Sequence, residues 1–359
     1  MDSTTDSSGP TDAGAEDANR EACMMYYLLF GSCLGGSILI FGVLGNIVTI
    51  IIMSRERKKS SSIYSLLMLA ITDLFVLLAY SYLPVIGFRK YFFGWWAGHN
   101  FNHIATLYIK EAARVFNQIS AFITMIVAMQ RYISVCVPHR AKTMCTVRLV
   151  QILTCTSYIS SFVFYLPNFF LYSLKQNEQG RYYTVSHPII SDPAFQWVYM
   201  TVLTMSISYI IPVSILLFMA VNIMRSLRQQ SRAMNSHSDE RTKAAKGLTI
   251  TSVAIVLMFV VCQSFTSATR ILMWIFDPYL DYSRCGGHLQ FYAFVPHVAL
   301  MFNSAINFLC YILFAKTFRR KLVALFRRTN AVDDVTSALN YQQAKAQNKR
   351  ISTVIVDHK

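Results

Sequence analysis

Seven long apolar stretches occupy most of this chain, running about Met24–Met53, Ile63–Phe88, Ile104–Val137, Val147–Leu174, Phe195–Met224, Gly247–Phe276 and Leu289–Phe314. A helix rises 1.5 Å per residue, so about 20 residues cross about 30 Å of hydrocarbon, and every stretch is longer than that. Hydrocarbon offers no water to backbone amides, so segments this apolar must close their hydrogen bonds internally as helices. The expected fold is an all-α membrane protein, a seven-transmembrane helix bundle. With 54% hydrophobic and only 14% charged residues, against roughly 25% charged in soluble domains, an ordinary soluble fold is excluded.

The loops leave no room for a second folded domain. Residues 1–23, rich in Ser, Thr, Asp and Gly, read as a disordered tail. The membrane domain spans 24–314, and 329–359 form a second disordered tail. Between them, at 315–328, Phe314, Phe318, Leu322, Leu325 and Phe326 fall at helical spacing while Lys316, Arg319, Arg320, Lys321, Arg327 and Arg328 cover the remainder. A short amphipathic helix on the inner leaflet is expected there.

Counting Lys and Arg in alternate loops gives eighteen on the side of 54–62, 138–146, 225–246 and 315–328, against six on the other. The positive-inside rule places the N-terminus outside and the C-terminus in the cytoplasm. The acidic start lacks the basic and apolar regions of a cleavable signal, so the first span is expected to act as signal anchor. The +15 net charge lies mostly in loops facing anionic head groups, which favours membrane lipids over nucleic acid as the basic partner. Of eight cysteines, Cys23 and Cys285 lie on the oxidising side, where a bond would tie the tail to the third outer loop.

Polar residues inside the spans each need a physical reason. Asp73, inside the apolar run Leu66–Tyr80, must be protonated, paired or bound to a cation. Asn46, Ser120, Asn303, Ser304 and Asn307 could surround it with neutral oxygens that hold a small cation, or could satisfy the acid by hydrogen bonds alone. Arg131 closes the third stretch, where an arginine ordinarily snorkels to head groups.

In order along the chain stand Gly42-Val-Leu-Gly45-Asn46, Leu69-Ala-Ile-Thr-Asp73, Gln130-Arg131-Tyr132 with Val137-Pro138, Pro212, and Asn307-Phe-Leu-Cys-Tyr311. One motif falls in each of five helices. Over residues 24–328 this resembles the rhodopsin-like family of G-protein-coupled receptors. The resemblance implies a plasma-membrane receptor whose Arg131, Tyr132 and Tyr311 engage a heterotrimeric G protein, with Phe259 as a sixth-helix switch. It also implies a sodium pocket of Asp73, Ser120, Asn303, Ser304 and Asn307, and no other cofactor. A receptor kinase and arrestin are the further partners expected, with Thr329, Thr336, Ser337, Ser352 and Thr353 as phosphorylation sites. Arg140-Ala-Lys-Thr-Met-Cys145-Thr and Asn303–Leu309 are similar to invertebrate FMRFamide-type neuropeptide receptors.

Several positions depart from the family pattern. Gln130 replaces the acid before Arg131, and Ala245 supplies none on the sixth helix, so a less firmly latched resting state and elevated basal signalling are expected. Cys262-Gln263-Ser264-Phe265 lacks the family's tryptophan and proline, which predicts a straighter sixth helix. Phe308 stands for the seventh-helix proline, Ala220 for the fifth-helix tyrosine, and the fourth span lacks its tryptophan. Both halves of the family disulfide between the third helix and second outer loop are missing.

Leu289–Ala315 holds no lysine for a retinal Schiff base, and Ala113 stands where amine receptors carry aspartate. The outer third instead offers Arg114, Asn117, Gln118, Gln263, Arg270 and His297, a wide polar pocket suited to an extracellular peptide. Glu111 lies three residues before Arg114, where a local ion pair forms readily, and His297 beside Pro296 is a candidate kink cap. An outer surface of ten acids against six basic residues steers a basic peptide, whereas the two arginines favour a small acidic ligand. A seven-helix carrier or ion transporter is the rival class, but the internal repeats such carriers usually show are not visible. Nothing calls for catalysis, so no enzyme is expected.

Overall fold

The computed structural model describes residues 19–55, 60–94, 98–233, 240–276, 290–292 and 294–325. Among these residues seven helices are long and apolar enough to cross a bilayer: α1 (Asn19–Ser54), α2 (Ser61–Phe93), α3 (His99–Cys136), α4 (Val147–Phe169), α5 (Pro193–Gln229), α6 (Glu240–Phe276) and α7 (Val295–Phe314). α3 is the most buried and packs against α2, α4, α5 and α6, while α7 packs against α1, α2 and α6. Large apolar side chains point outward on many of the helices, among them Ile40 (65% exposed), Ile159 (66%) and Phe218 (62%). Such surface is stable only against hydrocarbon.

Small residues bring α1 and α7 together. A Cβ on Gly42 would stand 2.8 Å from Ala305 Cβ, and one on Gly45 would stand 2.8 Å from the Phe308 ring. Phe308, in place of the family's proline, thus fills a slot that only glycine leaves open, and α7 runs unbroken to Phe314. α6 is likewise one continuous helix through Phe265, as expected without proline.

Among the described residues, three spans depart from α geometry in their N-terminal halves. π-helical segments occur at Tyr27–Leu34 in α1, Ala105–Ile109 in α3, and Gln196–Leu203 and Ser206–Ile210 in α5. Each widens the turn so that backbone bonds reach five residues back, a feature concentrated at functional sites.

Several boundaries differ from expectation, three of which change the reading. The tail was expected to be disordered through residue 23, yet helix begins at Asn19 and Cys23 is buried; residues 1–18 lie outside those described. The fourth stretch was expected to continue to Leu174. It ends at Phe169, after a 3-10 turn at Pro167, and gives way to an antiparallel hairpin of β1 (Tyr172–Gln176) and β2 (Tyr182–Ser186). Asn177 Oδ1 accepts from the amides of Gln179 and Arg181, and Gly180 takes φ +74°, which closes the turn. The seventh helix starts at Val295 rather than Leu289, with Pro296 in its first turn, where a missing N–H costs nothing. Pro296 therefore opens the helix, and His297 caps no kink.

Residues 316–325 form a further helix, α8. Phe318, Leu322 and Leu325 pack against a cluster containing Ile52, Met53 and Tyr311. Phe314 instead stays exposed at the end of α7, and Phe326, Arg327, Arg328 and residues 329–359 lie outside those described. Arg319 Nη1 donates to the carbonyls of Ile312 and Leu313, 2.7 Å each, capping α7.

Candidate functional site

The apolar run of α2 leaves Asp73 fully buried. Both carboxylate oxygens take a neutral donor, Ser120 Oγ at 2.7 Å from α3 and Asn307 Nδ2 at 2.6 Å from α7. Ser304 is buried with its hydroxyl unpartnered, and Asn303 is buried beside it in sequence. Asn46 belongs to a different task. Its Nδ2 donates to the carbonyls of Gly42 (2.9 Å) and Ser304 (3.0 Å), tying α1 to α7 without touching the acid. Beside Asp73, Thr72 meets the Tyr158 hydroxyl at 2.7 Å and so links α2 to α4.

At the C-terminal end of α3, Arg131 is 8% exposed and its Nε is buried without a partner. Gln130 does not attend it. Its Oε1 accepts from Ser65 Oγ at 2.7 Å and its Nε2 is unpartnered. Tyr132 faces the Phe218 ring on α5, and Tyr311 is buried against Phe318 with its hydroxyl unpartnered.

Toward the N-terminal end of α3, Arg114 Nη1 pairs with Glu111 at 2.9 Å, the arginine side chain remaining 38% exposed and the glutamate 10%. Glu111 also accepts from Asn168 Nδ2 at 3.0 Å, and Asn168 Oδ1 accepts from the Tyr199 hydroxyl at 3.1 Å. A polar chain thus crosses from α3 through α4 to α5. Burial lifts the Tyr172 phenol above its ordinary 10, with Arg114 pulling it down and Glu111 pushing it up. The hairpin is therefore electrostatically coupled to this ion pair. Its other side is fixed by His99, which contacts the Tyr182 carbonyl at 3.0 Å, and by Asn100, whose Oδ1 accepts from the Tyr182 amide at 2.9 Å.

One turn below Arg114, Gln118 Nε2 donates to the Ile207 carbonyl at 3.2 Å; from α6, Gln263 Nε2 reaches the Ser208 carbonyl at 3.4 Å. Both carbonyls lie in the second π segment of α5. The same segment takes the Tyr165 hydroxyl on Ser208 Oγ (2.6 Å) and the Ser264 hydroxyl on Tyr209 (3.1 Å). Asn117, Gln118 and Gln263 each keep a buried amide oxygen without a partner.

Of the remaining expected site residues, His297 packs edge-on against Tyr80 at 5.8 Å. Arg270 lies on α6 with its side chain outside those described. Cys23 is disulfide-bonded, and Cys285 lies outside the described residues. The expected positions therefore gather at two ends of α3 and around Asp73 between them. Asn168, Tyr199, Tyr165 and Ser208 were not singled out from the sequence, because each acquires meaning only from a partner on another helix.

The family model for 7 transmembrane receptors (rhodopsin family) matches residues 45–311. The FMRFamide receptor of Drosophila melanogaster is 23% identical over 332 residues, a match covering 86% of this chain and 56% of that protein. An FMRFamide peptide receptor of Caenorhabditis elegans is 22% identical over 298 residues, covering 81% and 67%. Neuromedin-U receptor 2 of Mus musculus is 26% identical over 326 residues, covering 84% and 74%.

Proposed function

The chain belongs to the rhodopsin family of seven-transmembrane receptors, and on that premise we propose that it is a plasma-membrane receptor for an extracellular neuropeptide of FMRFamide type, which activates a heterotrimeric G protein. One observation carries this reading: α3 bears an ion pair with a partly exposed arginine, Arg114, at one end and a buried arginine, Arg131, whose Nε has no partner, at the other. Arg114 and Arg131 are separated by about 25 Å at 1.5 Å per residue. One rigid helix thus joins a ligand-facing end to an effector-facing end.

The ligand binds one arrangement of the bundle better and so shifts its population. The inner face then opens, and Arg131 gains a partner on the G-protein α-subunit, with Tyr132 and Tyr311 beside it. The N-terminus lies outside, and the basic inner loops face the anionic leaflet. A peptide is favoured over a small acidic ligand because Arg114, one of the two arginines that would attract an anion, already has its charge matched by Glu111.

The residues around Asp73 also fit a small monovalent cation. A buried carboxylate supplies the charge, and the unpartnered Ser304 hydroxyl supplies a free oxygen beside those of Ser120, Asn303 and Asn307. Sodium bound there would supply positive charge that stabilises the ionised acid and joins α2, α3 and α7.

A synthetic peptide library applied to expressing cells, read by nucleotide exchange on added Gα, tests the function. Peptide-driven exchange that disappears in Arg131→Ala is expected. Solute flux through vesicles containing the purified protein, without exchange, would replace the receptor reading with a carrier.

A further inference from the structure

The first turn of α3 carries two imidazoles in one place. His99 and His103 are four residues apart on the helix, so they project from the same face, and their ring centroids stand 4.5 Å apart, edge to face. The hairpin lies across that face. His99 Nε2 contacts the Tyr182 carbonyl at 3.0 Å, and His103 Nδ1 contacts the Thr184 hydroxyl at 3.1 Å. Beside His99, Asn100 grips the same strand: its Oδ1 accepts from the Tyr182 amide at 2.9 Å, and its Nδ2 donates to the Gly180 carbonyl at 3.1 Å. Helix and strand thus hold both rings in a fixed, half-buried position that water reaches.

Metal-ligating histidines are held in this way. Such an imidazole binds the metal through one nitrogen and gives its other N–H to a carbonyl or a comparable acceptor, which fixes its tautomer and orientation. A carbonyl only accepts, so neutral His99 carries its proton on Nε2 and its lone pair on Nδ1. Thr184 can accept from His103 Nδ1 likewise, which makes Nε2 the ligand nitrogen of that ring. The guanidinium of Arg89 approaches the turn from its other side: it stacks over Phe101 at 5.6 Å, and Phe101 stands about 200° round the helix from His99.

Nitrogen donors select borderline transition metals over calcium and magnesium, which take oxygen. Among the described residues no third His, Cys, Asp or Glu joins the pair, so water would complete the shell. Zinc, which has no geometric preference of its own, fits an open two-nitrogen site. Two protein ligands instead of four place the affinity at roughly 1–100 μM.

We infer that His99 and His103 form a binding site for a divalent transition-metal ion of the zinc class, seated between the first turn of α3 and strand β2, whose occupancy clamps the hairpin to the helix. It stands apart from the identity of the ligand, and it puts a metal on the helix that carries Arg114 and Arg131.

The test uses purified full-length receptor, stripped of metal with a chelator, and zinc chloride as the probe. Hydrogen exchange read by mass spectrometry is expected to slow in residues 99–104 and 182–186, by up to about tenfold when zinc is about ten times its dissociation constant, with magnesium chloride inert. His99→Gln and His103→Gln keep an N–H for the Tyr182 carbonyl and the Thr184 hydroxyl but are poor zinc ligands, so each should lose the response. His187→Gln, just past β2, removes a histidine outside the pair and should respond as wild type. Titration calorimetry on the same samples should find about one fewer zinc ion per chain in either pair variant, whether or not the hairpin stays seated. No slowing in wild type, slowing that survives in either pair variant, or an unchanged zinc count overturns the site, and none of these results bears on the receptor function.

Discussion

Replacing Gly247 by alanine should raise signalling in the absence of ligand. Gly247 lies where α6 presses against the end of α7: a Cβ there would stand 2.6 Å from the Phe314 carbonyl oxygen, whereas ordinary contact begins at 3.4 Å. The carbonyl has little freedom to swing aside, because Arg319 holds the two preceding carbonyls at 2.7 Å. The inner ends of α6 and α7 must then part by about 0.8 Å, a distortion of the kind that costs ~1–3 kcal/mol in a packed core. Alanine is also the better helix former by ~1 kcal/mol, but that gain applies to every arrangement of α6 and cancels. The packing cost falls on the closed bundle alone, so the opening equilibrium shifts by about 5- to 150-fold. Neither Gln130 nor Ala245 supplies an acid to hold Arg131, so this close contact between α6 and α7 should weigh in the closed arrangement. Basal nucleotide exchange on added Gα, divided by surface receptor, is the measurement. Gly247→Ser carries the same Cβ and should behave alike. Basal exchange at or below the wild-type level in both variants, at equal surface expression, would refute the reasoning.

Gln130→Glu keeps an acceptor for Ser65, removes the unpartnered Nε2 and places a carboxylate beside Arg131; basal exchange is expected to fall severalfold. Arg319→Ala uncaps α7, and the loss of two charged hydrogen bonds, about 1.5–3 kcal/mol each at most, should lower the melting temperature of purified receptor by several degrees with little change in ligand potency. Asp73→Asn should abolish any difference in basal exchange between sodium chloride and choline chloride media, whereas wild type should signal less in sodium. A sodium response surviving in Asp73→Asn would move the cation elsewhere.

The bundle was legible because hydrophobic length alone decides whether a segment can cross a membrane, and α1 to α7 follow those runs closely. The hairpin was not, since Leu171 and Leu174 extend the fourth apolar run and hide the Asn177 to Gly180 turn that follows. The Glu111 and Arg114 pair could be read from three-residue spacing, which is a property of one helix. Asn168 and Tyr199 could not, because they complete that pair from α4 and α5. Asn46 stood out as a polar residue that could surround Asp73, but the carbonyls of Gly42 and Ser304 that it serves are set by tertiary packing. Gln118 and Gln263 stood out as polar residues in apolar spans. Their shared seat on α5 was hidden because nothing local in Ser206–Ile210 marks a widened turn.

The widened turns of α5 also bear on any comparison of this chain with its relatives. Each residue inserted into a helix rotates everything beyond it by about 100°, so positions outward of Ser206 face a different direction from the one a straight helix would give them. Matching this chain to another receptor column by column keeps true bearings on the C-terminal half of α5 and loses them toward its N-terminus. Contacts inferred for Tyr199 or Trp197 from an unwidened relative would point at the wrong neighbours, and mutagenesis planned on that basis would miss the cleft.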